Sequence, residues 1–521
     1  MTATGWVTAD RLAALRSAAT LAPDTDHETV AVESPGTGEV LGEVDRAMAT
    51  DVEDAVERAR EAQSRWADRP LADRADVLLD FHDRLLDERA AILDVLQAEA
   101  GKARTTAFEE ILDVAIGARH YATNAERYLG TERRRGAVPL LTKTVVHRHP
   151  VGVVGLVSPW NYPLSLTAGD ALPALLAGNA VVLKPDTATP YTALYVARLL
   201  REAGLPEDAF QVVVGAGGEV GEAVVEHADF VAFTGSTETG RTVAEQAGRH
   251  LTEVSLELGG KNPALVLPDA DLERAAAGIA KGAFANAGQL CISPERVYVH
   301  EVVADAFRDA FVSRTRSLRL ATDRSWATDV GTLSSADQLA TVQAHLADAI
   351  EKGATVLSGG RHRPDVGPYA FEPTVLTNVT PEMALFAEET FGPVVALYEV
   401  SSVDEAVERA NDSPYGLNAS VWTGDTVRGE RVAERVECGT VGVNDPYPAA
   451  WASIDAPMGG VKDSGVGRRH GREGVQKYTE SQTVATQRLV GIQPDPIPGR
   501  LWAEGFTAVL RAWRRFSGWR R

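Results

Sequence analysis

Two short segments place a thiol and a carboxylate in glycine-rich surroundings: Glu257-Leu258-Gly259-Gly260-Lys261-Asn262-Pro263 and Asn286-Ala287-Gly288-Gln289-Leu290-Cys291. A thiolate attacks an aldehyde carbon and holds it covalently while a hydride departs, and a nearby carboxylate then activates the water that releases an acid. Alone, neither residue carries that reading, because a single cysteine is usually a small buried hydrophobe and a single glutamate is usually solvated. The chain has two cysteines. Cys438, before Gly439-Thr440, reads as structural, which leaves Cys291 as the candidate nucleophile and Glu257 as the candidate base.

The elements that must position these groups show in the pattern of the rest of the chain. With 521 residues, 44% of them hydrophobic, it is long enough for two large domains with substantial cores. A formal net charge of −21 disfavours general nucleic-acid binding. Two cysteines make neither a disulfide framework nor a metal cluster, so no metal is expected, and a reduced, cytoplasmic setting is the simplest expectation. Residues 1–22 lack the basic start and apolar stretch of a signal peptide, and the longest apolar stretch, 171–183, is too short to span a bilayer.

Residues 30–44 alternate around Pro35-Gly36-Thr37-Gly38 as a hairpin does. A helix should follow, with Thr50 as cap and Glu53 completing a capping box. A second helical region is expected over 71–99, and extended chain over 133–150. From 151 on, short apolar runs at 152–157, 180–183, 211–214 and 230–233 alternate with helical stretches, and a second such series follows Glu257. That alternation predicts an α/β fold of two lobes with mostly parallel sheets, joined near Glu257 and rejoined near Gly442. Gly235-Ser236-Thr237-Glu238-Thr239-Gly240 follows a strand and opens a helix, whose free N–H groups suit a phosphate. By itself its Gly-x-x-x-x-Gly spacing is a weak signal.

Taken in order, Pro159-Trp160-Asn161-Tyr162-Pro163, Leu183-Lys184-Pro185, Phe233-Thr234-Gly235-Ser236, Glu257-Leu258-Gly259-Gly260-Lys261, Gly288-Gln289-Leu290-Cys291 and Glu389-Thr390-Phe391-Gly392-Pro393 resemble the motifs of the aldehyde dehydrogenase superfamily. The likeness runs over about residues 33–486, and the chain as a whole is most similar to the actinobacterial succinate-semialdehyde dehydrogenases of the second type. The resemblance implies twisted, mostly parallel sheets in two lobes. A Rossmann-type NAD(P)-binding domain would take 1–132 and 151–256, and a catalytic domain 257–441. A β-hairpin oligomerisation arm would take 133–150 and 476–490, giving a homodimer or homotetramer. It implies Cys291 as nucleophile, Glu257 as deacylating base, and Asn161 with the Cys291 backbone N–H as oxyanion donors. Trp160, Lys184, Thr187, Gly235, Ser236, Gly240, Leu258, Glu389 and Phe391 would bind NADP or NAD. Lys184 would meet the ribose hydroxyls, and Glu389 with Phe391 the nicotinamide end. Thr187 stands where many NAD-preferring relatives carry a glutamate that repels a 2′-phosphate, so NADP should be used at least as well as NAD. Glu257 also favours hydrolysis to a free acid over transfer to coenzyme A.

The chain departs from the family in two places. Well-studied succinate-semialdehyde dehydrogenases grip the substrate carboxylate with two arginines, at the positions of Gly169 and Ala285 here. An aldehyde carrying a distal carboxylate therefore needs another cation, and Trp160, Tyr162, Tyr447 and Trp451 can instead line an aromatic tunnel for an uncharged aldehyde. The second departure is the tail, 491–521. After Pro494, Pro496 and Pro498, Trp502, Phe506, Val509, Leu510 and Trp513 recur at helical spacing among Arg511, Arg514, Arg515, Arg520 and Arg521. The arginines should break the apolar stripe too often for it to span a membrane. Docking on the acidic body or a partner subunit is favoured over a membrane surface.

Overall fold

The computed structural model describes residues 5–22, 26–136, 142–488 and 495–517. Two compact units make up the chain: Met1–Tyr128 with Pro150–Thr479, and Leu129–His149 with Glu480–Arg521.

The first unit is built on two sheets. Largely apolar, buried runs give the strands β1 (Val153–Ser158), β2 (Ala180–Pro185), β3 (Phe210–Val212) and β4 (Phe230–Thr234), and the more polar β5 (Glu253–Glu257) is buried only over its last three residues. They pair in parallel in the order β5-β4-β1-β2-β3, and the short strand Gly465–Val466 joins β5 antiparallel at the edge. Continuous burial of this kind is what a parallel sheet covered by crossover helices requires. The second sheet holds β6 (Asn262–Val266), β7 (Pro294–His300), β8 (Thr355–Ser358), β9 (Thr374–Thr377), β10 (Val394–Val400), β11 (Asn418–Trp422) and β12 (Thr440–Val443). Its order is β8-β9-β10-β7-β6-β11-β12, parallel throughout except for β8 at the edge. Phe284, Phe307, Phe311 and Trp422 belong to one large cluster on this sheet.

The helices α1 (Pro163–Leu176), α2 (Thr237–His250) and α3 (Leu272–Phe284) lead into the loops that matter below. Proline opens α1, where a missing N–H costs nothing. Ser236 caps α2 by accepting from the Thr239 N–H at 3.2 Å.

Local expectations fared unevenly. The hairpin forms, as Thr29–Ser34 against Glu39–Asp45. The next helix, Ala49–Ala67, is capped neither by Thr50 nor by Glu53. Asp51 accepts the Met48 N–H at 2.6 Å and also the Ala22 N–H at 2.7 Å, and it lies 3.0 Å from His27 Nε2. A carboxylate that ties three segments together wins over a local capping box. The expected helix over 71–99 is two, Leu71–Asp87 and Arg89–Ala100, which break at Glu88.

In the second unit Glu132–Arg135 pairs antiparallel with residues 143–146 of the arm hairpin. Arg148 Nη1 donates to Ser481 Oγ at 2.7 Å, and Thr142 Oγ1 to Gln487 at 2.6 Å. Residues 137–141 and 489–490 of the expected arm lie outside the described residues. The tail forms a helix, Gly499–Ser517. At 100° per residue its arginines fall opposite Trp502, Phe506, Val509 and Trp513, so they do not break the apolar stripe as expected. The Trp502 and Phe506 rings stack with centroids 5.3 Å apart. Pro494, Arg520 and Arg521 lie outside the described residues. No helix among the described residues is long and apolar enough to cross a membrane.

Candidate active site

Cys291 follows α3 through a turn of left-handed residues. Asn286, Ala287 and Gly288 have φ of 50°, 54° and 74°, a conformation that costs non-glycine residues roughly 1–2 kcal/mol each. At Gly288 only glycine fits, since a Cβ would run into the Gly392 carbonyl. The turn is held from several sides. Gln289 donates from Nε2 to the Asn286 carbonyl at 2.9 Å and accepts the Ser334 N–H at 2.8 Å. Asn262 Nδ2, at the start of β6, donates to the Cys291 carbonyl at 2.8 Å.

Glu257 ends β5, beside Gly259 and Gly260. It is buried, and its Oε1 has no hydrogen-bond partner among the described residues. Burial pushes its carboxyl up to about 7, against the pull of the Arg469 and Lys477 cations. The Cys291 thiol is pushed up to about 12 by burial and by the Glu389 and Glu257 carboxyls, so it stays protonated in this state.

Asn161 lies between β1 and α1. Its Nδ2 donates to the Gln289 carbonyl at 3.1 Å, which leaves its second N–H for another acceptor. Its own carbonyl accepts from Lys102 Nζ at 2.7 Å and from Asn286 Nδ2 at 2.9 Å. Lys102 forms a fully buried ion pair with Glu110, which also accepts the Leu164 and Ser165 N–H groups at 2.9 and 3.1 Å at the start of α1. Neither residue stands out in the sequence.

Cys291, Glu257 and Asn161 line one cavity of about 860 Å³, as do Gly169 and Ala285. Tyr162, Tyr447 and Trp451 line it too. Trp160, expected among them, is not on that wall. It meets Phe391 edge to face with ring centroids 5.5 Å apart.

Lys184, Thr187, Gly235, Ser236 and Leu258 follow the carboxyl ends of the first sheet's strands, where parallel α/β sheets bind ligands, while Glu389 and Phe391 come from the loop before β10. Lys184 is buried at the end of β2 and has no ion-pair partner among the described residues; burial pulls its ammonium below the usual lysine value. The nearby Asp186 carboxylate acts on it without pairing, and a buried cation without an ion pair calls for a polar or anionic ligand. Thr187 sits in the following turn, half-buried, while Asp186 folds back to accept the Ala188 N–H at 2.9 Å. Gly240 packs against Leu258 so closely that a Cβ would collide with it. Gly235 and Ser236 form the entry to α2. Glu389 Oε1 accepts the Gly260 N–H at 2.9 Å, and burial with the neighbouring Glu295 pushes its carboxyl up to about 8. These residues fit a dinucleotide: a helix N-terminus and a buried ammonium follow two strands of the first sheet, and a buried carboxyl from the loop before β10 reaches the Gly260 N–H. Among the described residues no group of three or more His, Cys, Asp or Glu is disposed to hold a metal.

One buried cluster went unread in the sequence. Arg469 pairs with Asp170 and also donates to Thr234 Oγ1 at 3.3 Å. Asp170 is shared with Lys477 at 2.9 Å and Tyr478 at 2.7 Å, and the cations hold its carboxyl far below the usual range. The only signal was a basic pair, Arg468-Arg469, between Gly467 and Gly471.

A cysteine, a glutamate and an asparagine face one cavity in a fold of two parallel sheets, the arrangement of an NAD(P)-dependent oxidoreductase. The chain belongs to the aldehyde dehydrogenase family, whose model matches residues 22–484. It is 52% identical to a Mycolicibacterium smegmatis protein over 94% of each chain, and 48% identical to one of Mycobacterium tuberculosis over 97% of this chain and 98% of that one. Both relatives carry the provisional name succinate-semialdehyde dehydrogenase, NADP-dependent. Among solved structures, betaine aldehyde dehydrogenase of Staphylococcus aureus in complex with NAD+ superposes with a TM-score of 0.86 at 31% identity, over 94% of this chain and 97% of that one.

Proposed function

We propose that this enzyme oxidises succinate semialdehyde to succinate, with NADP used at least as well as NAD, and that Cys291, Glu257 and Asn161 carry the reaction. The observation behind the catalytic reading is that these three residues, from two loops and a strand end, face one cavity. The relatives' names support the substrate and the cofactor.

Cys291 Sγ, once deprotonated, attacks the aldehyde carbon. Asn161 Nδ2 and the Cys291 N–H then hold the oxyanion, an interaction of about 3 kcal/mol in the transition state. Lys184, the α2 N-terminus and Glu389 would hold NAD(P), which would supply the hydride acceptor and, before reduction, a cationic ring to offset the carboxyls that keep the thiol protonated. The thioester on Cys291 is hydrolysed when Glu257 takes a proton from water, which attacks the acyl carbon and releases the acid and the thiolate. A carboxyl near 7 suits that duty at neutral pH.

Residues 1–132 and 151–256 serve as the cofactor domain in this reading, and 257–441 as the catalytic domain. The hairpin of 133–150 with 476–490 pairs subunits into a homo-oligomer in the cytoplasm. The test is kcat/KM for succinate semialdehyde against butanal, without coenzyme A and with each cofactor. A clear advantage for the acid with NADP is expected, and Cys291→Ala should show no turnover. Equal values for both aldehydes would favour an uncharged aliphatic or aromatic substrate, for which the tyrosine and tryptophan walls speak.

A further inference from the structure

The arginines expected to hold a distal carboxylate are absent at positions 169 and 285, but the cavity does contain a buried guanidinium. Arg469 lines it together with Cys291 and Gly169, and its side chain is only 12% exposed. Its Nη2 is occupied by Asp170 and Thr234, while its Nε is buried without a hydrogen-bond partner among the described residues. A guanidinium with an unpaired N–H has hydrogen-bonding capacity left over, and leaving that N–H buried costs free energy.

Gly169 explains how that wall is reached. It lies in α1 immediately before Asp170, the partner of Arg469, and a Cβ built there would meet no heavy atom within 4 Å. That open position and Arg469 both belong to the wall of one cavity. Asp170 answers two cations, Arg469 and Lys477, and accepts from Tyr478 besides. Two further carboxyls face Arg469, Glu257 and Asp113, and burial raises both, to about 7 and about 6. Arginine is also the side chain whose planar fork best matches a carboxylate.

We propose that Arg469, reached through the opening at Gly169, is a subsite for the carboxylate of an acidic aldehyde and replaces the arginines missing at 169 and 285. The inference rests on the acid-aldehyde reading above and names the residue responsible. Asp170 keeps the guanidinium buried and charged without saturating it, and Lys477 helps hold Asp170 in place. Arg469 therefore sets specificity, and Cys291 chemistry is common to charged and uncharged aldehydes.

The experiment measures kcat and KM for succinate semialdehyde and butanal on the wild-type enzyme, Arg469→Gln, Gly169→Glu and Gly169→Gln. The readout is the ratio of kcat/KM, acid over butanal. Arg469→Gln should lower this ratio about 10- to 100-fold, as loss of a hydrogen bond to a charged group does, mainly by raising KM for the acid. Gly169→Glu leaves the Arg469–Asp170 pair in place but puts a competing carboxylate at the opening. It should lower the ratio similarly, and the isosteric Gly169→Gln should lower it much less. Gly169→Glu keeps the test decisive if Arg469→Gln does not fold. A wild-type enzyme that prefers the acid, with an unchanged ratio in Arg469→Gln or in Gly169→Glu, overturns the subsite and leaves the substrate reading intact. A wild-type enzyme without acid preference overturns both.

Discussion

Replacing Glu257 by glutamine should stabilise the cofactor-free enzyme at pH 8 while stopping its turnover. The carboxyl is buried, one oxygen lacks a partner, and its titration moves from the ordinary 4.5 to about 7 on folding. A carboxyl raised in this way takes up a proton on folding between those two values. Stability therefore falls as pH rises through that window, and the whole cost is present above it. At about 1.4 kcal/mol per pH unit, the ionised Glu257 costs the fold about 3 kcal/mol at pH 8 and little at pH 4.5. Glutamine has the same shape and no charge, so Glu257→Gln should raise the melting temperature at pH 8, by about 3 °C for a chain of this size, and leave it nearly unchanged at pH 4.5. Calorimetry at one scan rate and two pH values measures this. Stopped-flow mixing with NADP and aldehyde should show a first burst of NADPH, then a steady rate roughly 100- to 10,000-fold below wild type. In the wild type, about a tenth of Glu257 is ionised at pH 6 and about nine-tenths at pH 8, so the steady rate should climb across that range. An equal melting shift at both pH values would refute the ionisation argument, and normal steady turnover would refute the role as base.

Thr187→Glu should shift kcat/KM towards NAD by at least tenfold, because a carboxylate there repels a 2′-phosphate; a strong NAD preference in the wild type would contradict the reading. Glu295 accepts the Thr390 and Phe391 N–H groups at 3.1 and 3.0 Å and pairs with the buried Lys261. Glu295→Ala should destabilise the fold by about 3–5 kcal/mol, the usual result of orphaning a buried cation, and raise KM for the cofactor, as denaturant titration and initial rates will show. Removing residues 501–521 should lower the oligomer mass or the melting temperature while kcat per subunit stays the same. Neither change, with lost binding to anionic vesicles, would instead place the helix on a membrane surface.

Much of the site was legible because its residues sit in unusual local sequence. Cys291, Glu257 and Asn161 are each flanked by glycine or proline, which mark backbone that must turn or approach closely. The parallel strands were legible because residues buried on both faces leave unbroken apolar runs. What could not be read depends on partners far apart in the chain. Asp170 and Arg469 are 299 residues apart, and the carbonyl of Asn161 is held by Lys102, 59 residues earlier. At the first long helix the sequence offered Thr50 and Glu53 as a cap, but Asp51 won because Ala22 and His27 arrive at the same carboxylate. Trp160 was placed on the wrong wall because sequence does not tell which side of a loop a ring takes.

The loops that carry these groups are interlocked, and this bears on how the reaction is held together. Gly288, just before the thiol, packs on the Gly392 carbonyl of the loop that holds Glu389. Glu389 accepts the Gly260 N–H, next to the loop of Glu257. Asn262 reaches across from the same segment to the Cys291 carbonyl, and Glu295, from the strand after Cys291, fixes Thr390 and Phe391. Nucleophile, base and the residues expected at the nicotinamide therefore share one backbone network. Displacing one of them strains the others. The three successive left-handed residues before Cys291 can persist because this network over-determines their shape. In the proposed reaction the same rigidity would let Asn161 Nδ2 keep its place as charge develops on the substrate oxygen, so that little reorganisation is needed.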